Sequence, residues 1–252
     1  MSSFKSGGTR EEPCRFGIPI LDETLGGGYS RGAVVLIEDE VGVDANPLLV
    51  QFLAEGIQSG EYGYILSTEH LYETYRQLLI PFGIDEIVVD TKRLVFLDGF
   101  STPFAGEKPG ALQSRSAGNV VRNILEARNV LDTIRQSLLH VRTPNVRGVF
   151  DSISSVLLVA GENLQAPVSL LSQIIANNKA KRHNTIFTIH ADVHHPRVIK
   201  ALEHFCDGVL KLTYFNGKPI LRIVKVEGYQ NIDQRDFLYH PEPGKVNIEP
   251  LE

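Results

Sequence analysis

Ala33-Val34-Val35-Leu36-Ile37, then Glu38-Asp39-Glu40-Val41-Gly42-Val43-Asp44-Ala45-Asn46-Pro47, then Leu48-Leu49-Val50-Gln51-Phe52-Leu53-Ala54-Glu55-Gly56-Ile57 is the stretch whose reading decides the fold. A β-branched apolar run passes through a polar loop with one glycine into a segment that opens on proline, which suits a first helical turn. That segment spaces Leu48, Val50, Phe52, Leu53 and Ile57 for a mostly buried helix. The alternation continues outward. Tyr62–Ser67, Arg93–Asp98, Val146–Asp151 and Asn184–His190 are short runs, several of them apolar almost throughout, as strands buried on both faces of a parallel sheet require. Between them, residues 117–140 place Val120, Val121, Ile124, Leu131, Ile134 and Leu138 for one long amphipathic helix, and 167–181 and 195–205 predict two more. The runs Asp207–Phe215 and Ile220–Gly228 have no helix between them and turn at Asn216-Gly217, a strong hairpin signal. The expected fold is α/β: a mainly parallel sheet flanked by helices, with an antiparallel C-terminal edge. Residues 14–240 form the domain, between a polar tail at 1–13 and a proline-rich tail at 241–252.

Strand, glycine-containing loop and helix is the arrangement that cradles phosphates. Backbone N–H groups and a lysine surround the anion, and a Ser or Thr hydroxyl holds magnesium. Counting back from Leu48, Ala45 stands at the lysine position and Asn46 at the hydroxyl position. Asp39 and Asp44 stand where glycines are expected, and only Gly42 is kept. Carboxylates in a loop that must approach a polyanion repel it, at a cost on the order of several kcal/mol. Two further positions bear on the same chemistry. Asp151-Ser152 ends an apolar strand where such enzymes keep a magnesium-organising acid, and Glu69, after Ser67-Thr68, could orient a water. The bland reading of Asp151 is a carboxylate capping the next turn. The expectation is a pseudo-ATPase with no catalytic residue and no cofactor. The alternative is that Asn46 and the loop backbone still hold ATP and magnesium weakly.

Composition bounds the rest. The 252 residues, 42% hydrophobic and 22% charged, suit one globular domain with a sizeable core. A net charge of −5 gives no overall basic footprint, so any nucleic-acid contact must come from a local patch. Cys14 and Cys206 are too few for a disulfide framework, and no apolar run approaches the roughly 18 residues of a membrane helix. A cytoplasmic protein is expected.

Phe16-Gly17-Ile18-Pro19-Ile20-Leu21-Asp22, Leu25-Gly26-Gly27-Gly28 and Gly32 before the first apolar strand resemble the opening of the RecA superfamily, particularly its KaiC-like and RadA-like branch. Asp151-Ser152, Asp207-Gly208 and Val224-Lys225-Val226-Glu227-Gly228 resemble its later signatures, so the likeness covers about residues 14–230. It departs where those enzymes work: His70 stands in place of a second glutamate, and Glu227 where an arginine reaches a neighbour's nucleotide. A closer likeness is to the RecA-like accessory subunits of Elongator, especially the fourth, through Gly26-Gly27-Gly28, Val35–Asp39, Pro47-Leu48-Leu49 and Phe52–Ile57. That resemblance implies a non-catalytic scaffold subunit of a homo- or hetero-hexameric ring of RecA-like chains, which binds tRNA and assists wobble-uridine modification by a catalytic Elongator-like subunit. The alternative it leaves is a KaiC-like or RadA-like nucleotide-binding regulator or ATPase in signalling or DNA repair.

Rings of this kind contact nucleic acid through loops that correspond here to 159–167 and 190–200. The second concentrates His190, His194, His195, Arg197 and Lys200, imidazoles and cations that suit phosphates and unpaired bases. Lys179, Lys181, Arg182 and His183 add charge, which a helix C-terminus by itself would favour. Zinc at His190, Asp192, His194 and His195 is disfavoured, because no second cluster supplies ligands at fixed geometry.

Overall fold

The computed structural model describes residues 12–101, 119–228, 232 and 234–251. A nine-stranded sheet forms its centre, in the order β3-β2-β4-β5-β1-β6-β7-β8-β9. The strands are β1 (Val34–Asp39), β2 (Tyr62–Ser67), β3 (Leu94–Asp98), β4 (Val146–Asp151), β5 (Asn184–His190), β6 (Gly208–Phe215), β7 (Lys218–Val226), β8 (Asp236–Glu242) and β9 (Lys245–Pro250). From β3 to β6 all neighbours run parallel, and from β6 to β9 all run antiparallel. The parallel strands are buried almost throughout, which is why they read as continuous apolar runs.

Helices cover both faces. On one, α1 (Pro19–Thr24), α2 (Asn46–Gln58) and α3 (Tyr72–Leu79) bury Leu21, Leu48, Phe52 and Leu79 against the sheet. The short α4 (Glu86–Asp90) precedes β3. On the other face, α5 (Ala127–Ser137), α6 (Ile153–Ala160), α7 (Gln165–Lys181) and α8 (Pro196–Phe205) bury Val130, Ile134, Val156, Leu170 and Leu202. The expected hairpin is present, with Asn216 and Gly217 at φ 50° and 74°, the left-handed pair such a turn needs.

Three expectations change. The long helix expected at 117–140 begins only at Ala127: Asn119 and Val121 pair with Asp98 at the end of β3, and Asn129 Oδ1 accepts from the backbone N–H of Arg122 and Asn123. A side chain that satisfies backbone donors in this way holds the preceding turn out of the helix; residues 117 and 118 lie outside the described residues. The segment 241–252 is not a tail. It ends β8 and supplies β9, with Val246 and Ile248 buried against the first face. Its prolines are compatible with strands: Pro250 lies on the outermost strand, Pro241 on β8 beyond the residues paired with β7, and Pro243-Gly244 makes the turn, with Gly244 at φ 86°. The loop expected at 159–167 shrinks to four residues between α6 and α7. Of the expected N-terminal tail, only Glu12 and Pro13 are described.

Candidate functional site

Strands β2, β4, β5 and β1 end side by side at Ser67, Asp151, His190 and Asp39, so the segments leaving them share one rim of the sheet. Ligands of open α/β sheets bind at this rim, outside the carboxyl ends of the strands. Each position singled out in the phosphate loop and after β2 and β4 converges there, and each is held by other residues of the chain.

Asp151 is 4% exposed and both its oxygens are taken: Tyr75 donates to Oδ2 at 2.6 Å and Thr188 to Oδ1 at 2.8 Å. Burial raises its pKa, against the lowering effect of the Tyr75 hydrogen bond. The Tyr75 hydroxyl also lies 3.3 Å from Asn46 Oδ1. In a nucleotide-binding P-loop protein, the residue at Asn46 and the acid at Asp151 hold the magnesium ion between them. Here a phenol oxygen stands between them, on a fully buried ring packed against Phe96 and His70. At the lysine position, Ala45 is buried at 4% exposure. Ser152 is fixed from β2, since Thr68 Oγ1 accepts from its N–H at 2.9 Å and donates to its carbonyl at 2.7 Å.

Beside this, His190 joins two acids. Its Nδ1 lies 2.8 Å from Asp39 Oδ1 and its Nε2 2.8 Å from Glu69 Oε2, while Ser155 donates to Glu69 Oε1 at 2.9 Å. Hydrogen bonds to Asp39 and then Glu69 push the imidazole pKa up to about 10, so a cation is clamped between the carboxylates. Burial tends to raise Glu69, but His190 and the serine hydroxyls outweigh it and the net shift is downward; Asp39 is raised, burial exceeding the help from His190. The loop backbone is occupied as well. Asp192 Oδ2 accepts from Val41 N–H at 3.0 Å, and Asp44 Oδ1 from Asn46 N–H at 2.9 Å. Gly42, at φ 94°, lies under Tyr214, whose hydroxyl donates to its carbonyl at 2.8 Å. Internal carboxylates thus take backbone donors of the kind that a phosphate loop offers to its anion.

Residues 14–249 match the family described as "ATPase: KaiC". The chain belongs to this KaiC family. A UPF0273 protein of Pyrococcus furiosus is 24% identical over 198 residues, 78% of this chain and 76% of that one. Elongator complex protein 4 of Xenopus laevis is 40% identical over 67 residues, 26% of this chain and 16% of that one. The crystal structure of a KaiC-like protein from Pyrococcus horikoshii superposes with a TM-score of 0.71 at 22% identity, covering 94% of this chain and 99% of that one. Its likeness is one of fold.

Against this KaiC-family frame, the expected nucleic-acid residues separate. His190 leaves the set, because both ring nitrogens are engaged, with Asp39 and Glu69. Arg197 and Lys200 are on α8, not in a loop, and Lys200 pairs with Glu203. His195 caps that helix, its Nδ1 accepting from Arg197 N–H at 3.2 Å. His194 is half-buried, with Nε2 unpartnered and the pKa lowered by burial and then by the charge of His190. His195 and Arg197 keep exposed side chains. No group of three or more metal-ligating side chains converges among the described residues, so the weighed zinc set is not brought together. No helix among them is long and apolar enough to cross a membrane.

Two residues of the rim escaped the sequence reading. Tyr75 lies on the apolar face of a helical pattern and Thr188 inside an apolar strand, and nothing local separates either from ordinary core. Only the register of β5 against β4 and the packing of α3 bring them to Asp151.

Proposed function

We propose that the chain is a pseudo-ATPase: a KaiC-family domain whose former nucleotide site has become a structural network, and which serves as a scaffold subunit. One observation carries this reading, the Tyr75 hydroxyl between Asn46 and Asp151 with Ala45 at the lysine position. To place magnesium and a triphosphate there, the protein would have to break the Tyr75–Asp151 bond and supply a counter-charge that Ala45 lacks. The internal acids on Val41 and Asn46 add to the cost.

The assembly we propose is a ring of RecA-like subunits resembling Elongator's accessory ring, binding tRNA to assist wobble-uridine modification by a catalytic partner. The 67-residue likeness to Elongator complex protein 4 supports it, as do the exposed His195 and Arg197 beside the rim. The match of residues 14–249 to the KaiC ATPase family and the presence of Asp151 and Glu69 favour a second reading, a KaiC-like nucleotide-binding regulator. Calorimetry with Mg-ATP separates them. The first expects no Asp151-dependent heat and no hydrolysis; micromolar, magnesium-dependent binding abolished by Asp151→Asn overturns it. The tRNA role expects a gel shift that weakens steeply with salt and on changing His195 and Arg197 to Ala.

A further inference from the structure

At the opposite end of the sheet, a pocket of about 380 Å³ opens where α5 and α7 end and β4 begins. Val146 lines it, while Asp151 ends the same strand, so roughly 16 Å of β-strand separates it from the rim described above. Its wall carries Arg135, Lys181 and His183 and, among the described lining residues, no carboxylate. That contrasts with the pocket beside Gly26–Tyr29, which has Glu12 and Glu227, and with the one along β3, which has Asp90. On a chain of net charge −5, a pocket of one sign is a selective feature.

Cations at helix C-termini have an ordinary explanation in the helix dipole. Here, though, several of the last-turn carbonyls already have partners: those of Ile134 and Arg135 accept from Leu138 N–H, and those of Asn178 and Lys179 from His183 and Arg182 N–H. Arg135 is shared with Asp132, whereas Lys181 is exposed and forms no ion pair among the described residues. His183 is 8% exposed, and its buried Nδ1 has no hydrogen-bond partner among the described residues. Burial, then the charge of Lys181, lowers its pKa to about 4, so the ring is neutral at neutral pH and offers either a proton or a lone pair. Leu138, Val141, Pro144 and Val146 give the rest of the wall an apolar patch, with Leu139, which is 72% exposed, and one further polar side chain, Thr143.

An apolar patch, two neutral polar side chains, and a lysine that forms no ion pair among the described residues suit a ligand with a flat ring and a phosphate. We propose that this pocket binds a nucleotide, with its base against Leu138, Val141 and Pro144 and edged by His183, and its phosphate on Lys181 and Arg135. The nucleotide is either free or part of an RNA strand. The proposal does not rest on the tRNA reading and uses a different surface from α8.

The test is titration of ¹⁵N-labelled protein with UMP, AMP and inorganic phosphate, alongside tRNA gel shifts, in wild type, Lys181→Glu, His183→Phe and Arg197→Glu. Saturable, magnesium-independent shifts at Leu138–Thr143 and Lys181 are expected, with UMP and AMP affinity reduced at least tenfold in Lys181→Glu, whose melting temperature matches wild type, and that mononucleotide affinity unchanged in Arg197→Glu. If nucleotides bind but tRNA does not, the ligand is free and the tRNA reading fails alone. If only tRNA binds, and Lys181→Glu abolishes it, the source is RNA. If tRNA binding depends on Arg197 alone and UMP and AMP shift nothing here, the pocket proposal is overturned and the tRNA reading stands. Phosphate binding as tightly as UMP overturns it too, and so does equal affinity in wild type and Lys181→Glu.

Discussion

Replacing Tyr75 by Phe removes the oxygen between Asn46 and Asp151 and leaves the ring where it packs, against Phe96 at 5.9 Å and His70 at 6.1 Å between centroids. The cost falls on Asp151, which is 4% exposed and, among the described residues, keeps only Thr188 as side-chain donor on its carboxylate. A hydrogen bond to a charged group contributes about 1.5–3 kcal/mol. At about 2–4 °C per kcal/mol for a chain of this size, Tyr75→Phe should melt about 3–12 °C below wild type. The sign with pH follows from which form the hydroxyl favours. Tyr75 stabilises ionised Asp151 against burial, which raises the pKa, so the penalty should shrink as the solution is acidified and Asp151 protonates. Urea denaturation at several pH values reads both effects. A loss below about 0.5 kcal/mol at neutral pH, within the range of an ordinary surface substitution, would refute the reasoning, because Asp151 would then not depend on Tyr75.

His190 carries a pKa pushed up to about 10, so its stabilisation is complete below its ordinary value and is lost as pH rises toward 10. The ceiling is about 1.4 kcal/mol per pH unit, cut roughly in half for a solvent-screened ring. Wild type should therefore lose stability between pH 7 and 10 more steeply than His190→Gln, and parallel urea-midpoint slopes would contradict the clamp. Gly148→Ala would set a Cβ 2.3 Å from the buried Tyr64 ring, and overpacking of this kind costs about 1–3 kcal/mol in thermal melts. Ending the chain at Pro243 deletes β9 with the buried Val246 and Ile248, a loss of about 3–6 kcal/mol; unchanged unfolding would mean that the strand is dispensable.

The residue pattern by itself determined the strand–loop–helix order, the parallel sheet with its antiparallel end, and the absence of lysine and hydroxyl from the phosphate loop. These are local matters: buried parallel strands must be apolar on both faces, a two-residue hairpin needs left-handed residues, and a missing side chain is visible wherever the loop is counted. Tertiary structure alone decided which residues meet at the phosphate-loop rim. His190 and Asp39 lie 151 residues apart, and Tyr75 and Asp151 lie 76 apart. No periodicity encodes such pairs, because they depend on strand order and register. The same distinction explains why the C-terminal strand is hidden in the sequence. Proline argues against a strand where every N–H must be paired, but β9 lies at the end of the sheet with one edge free, and a sequence read without strand order does not reveal which strand is outermost.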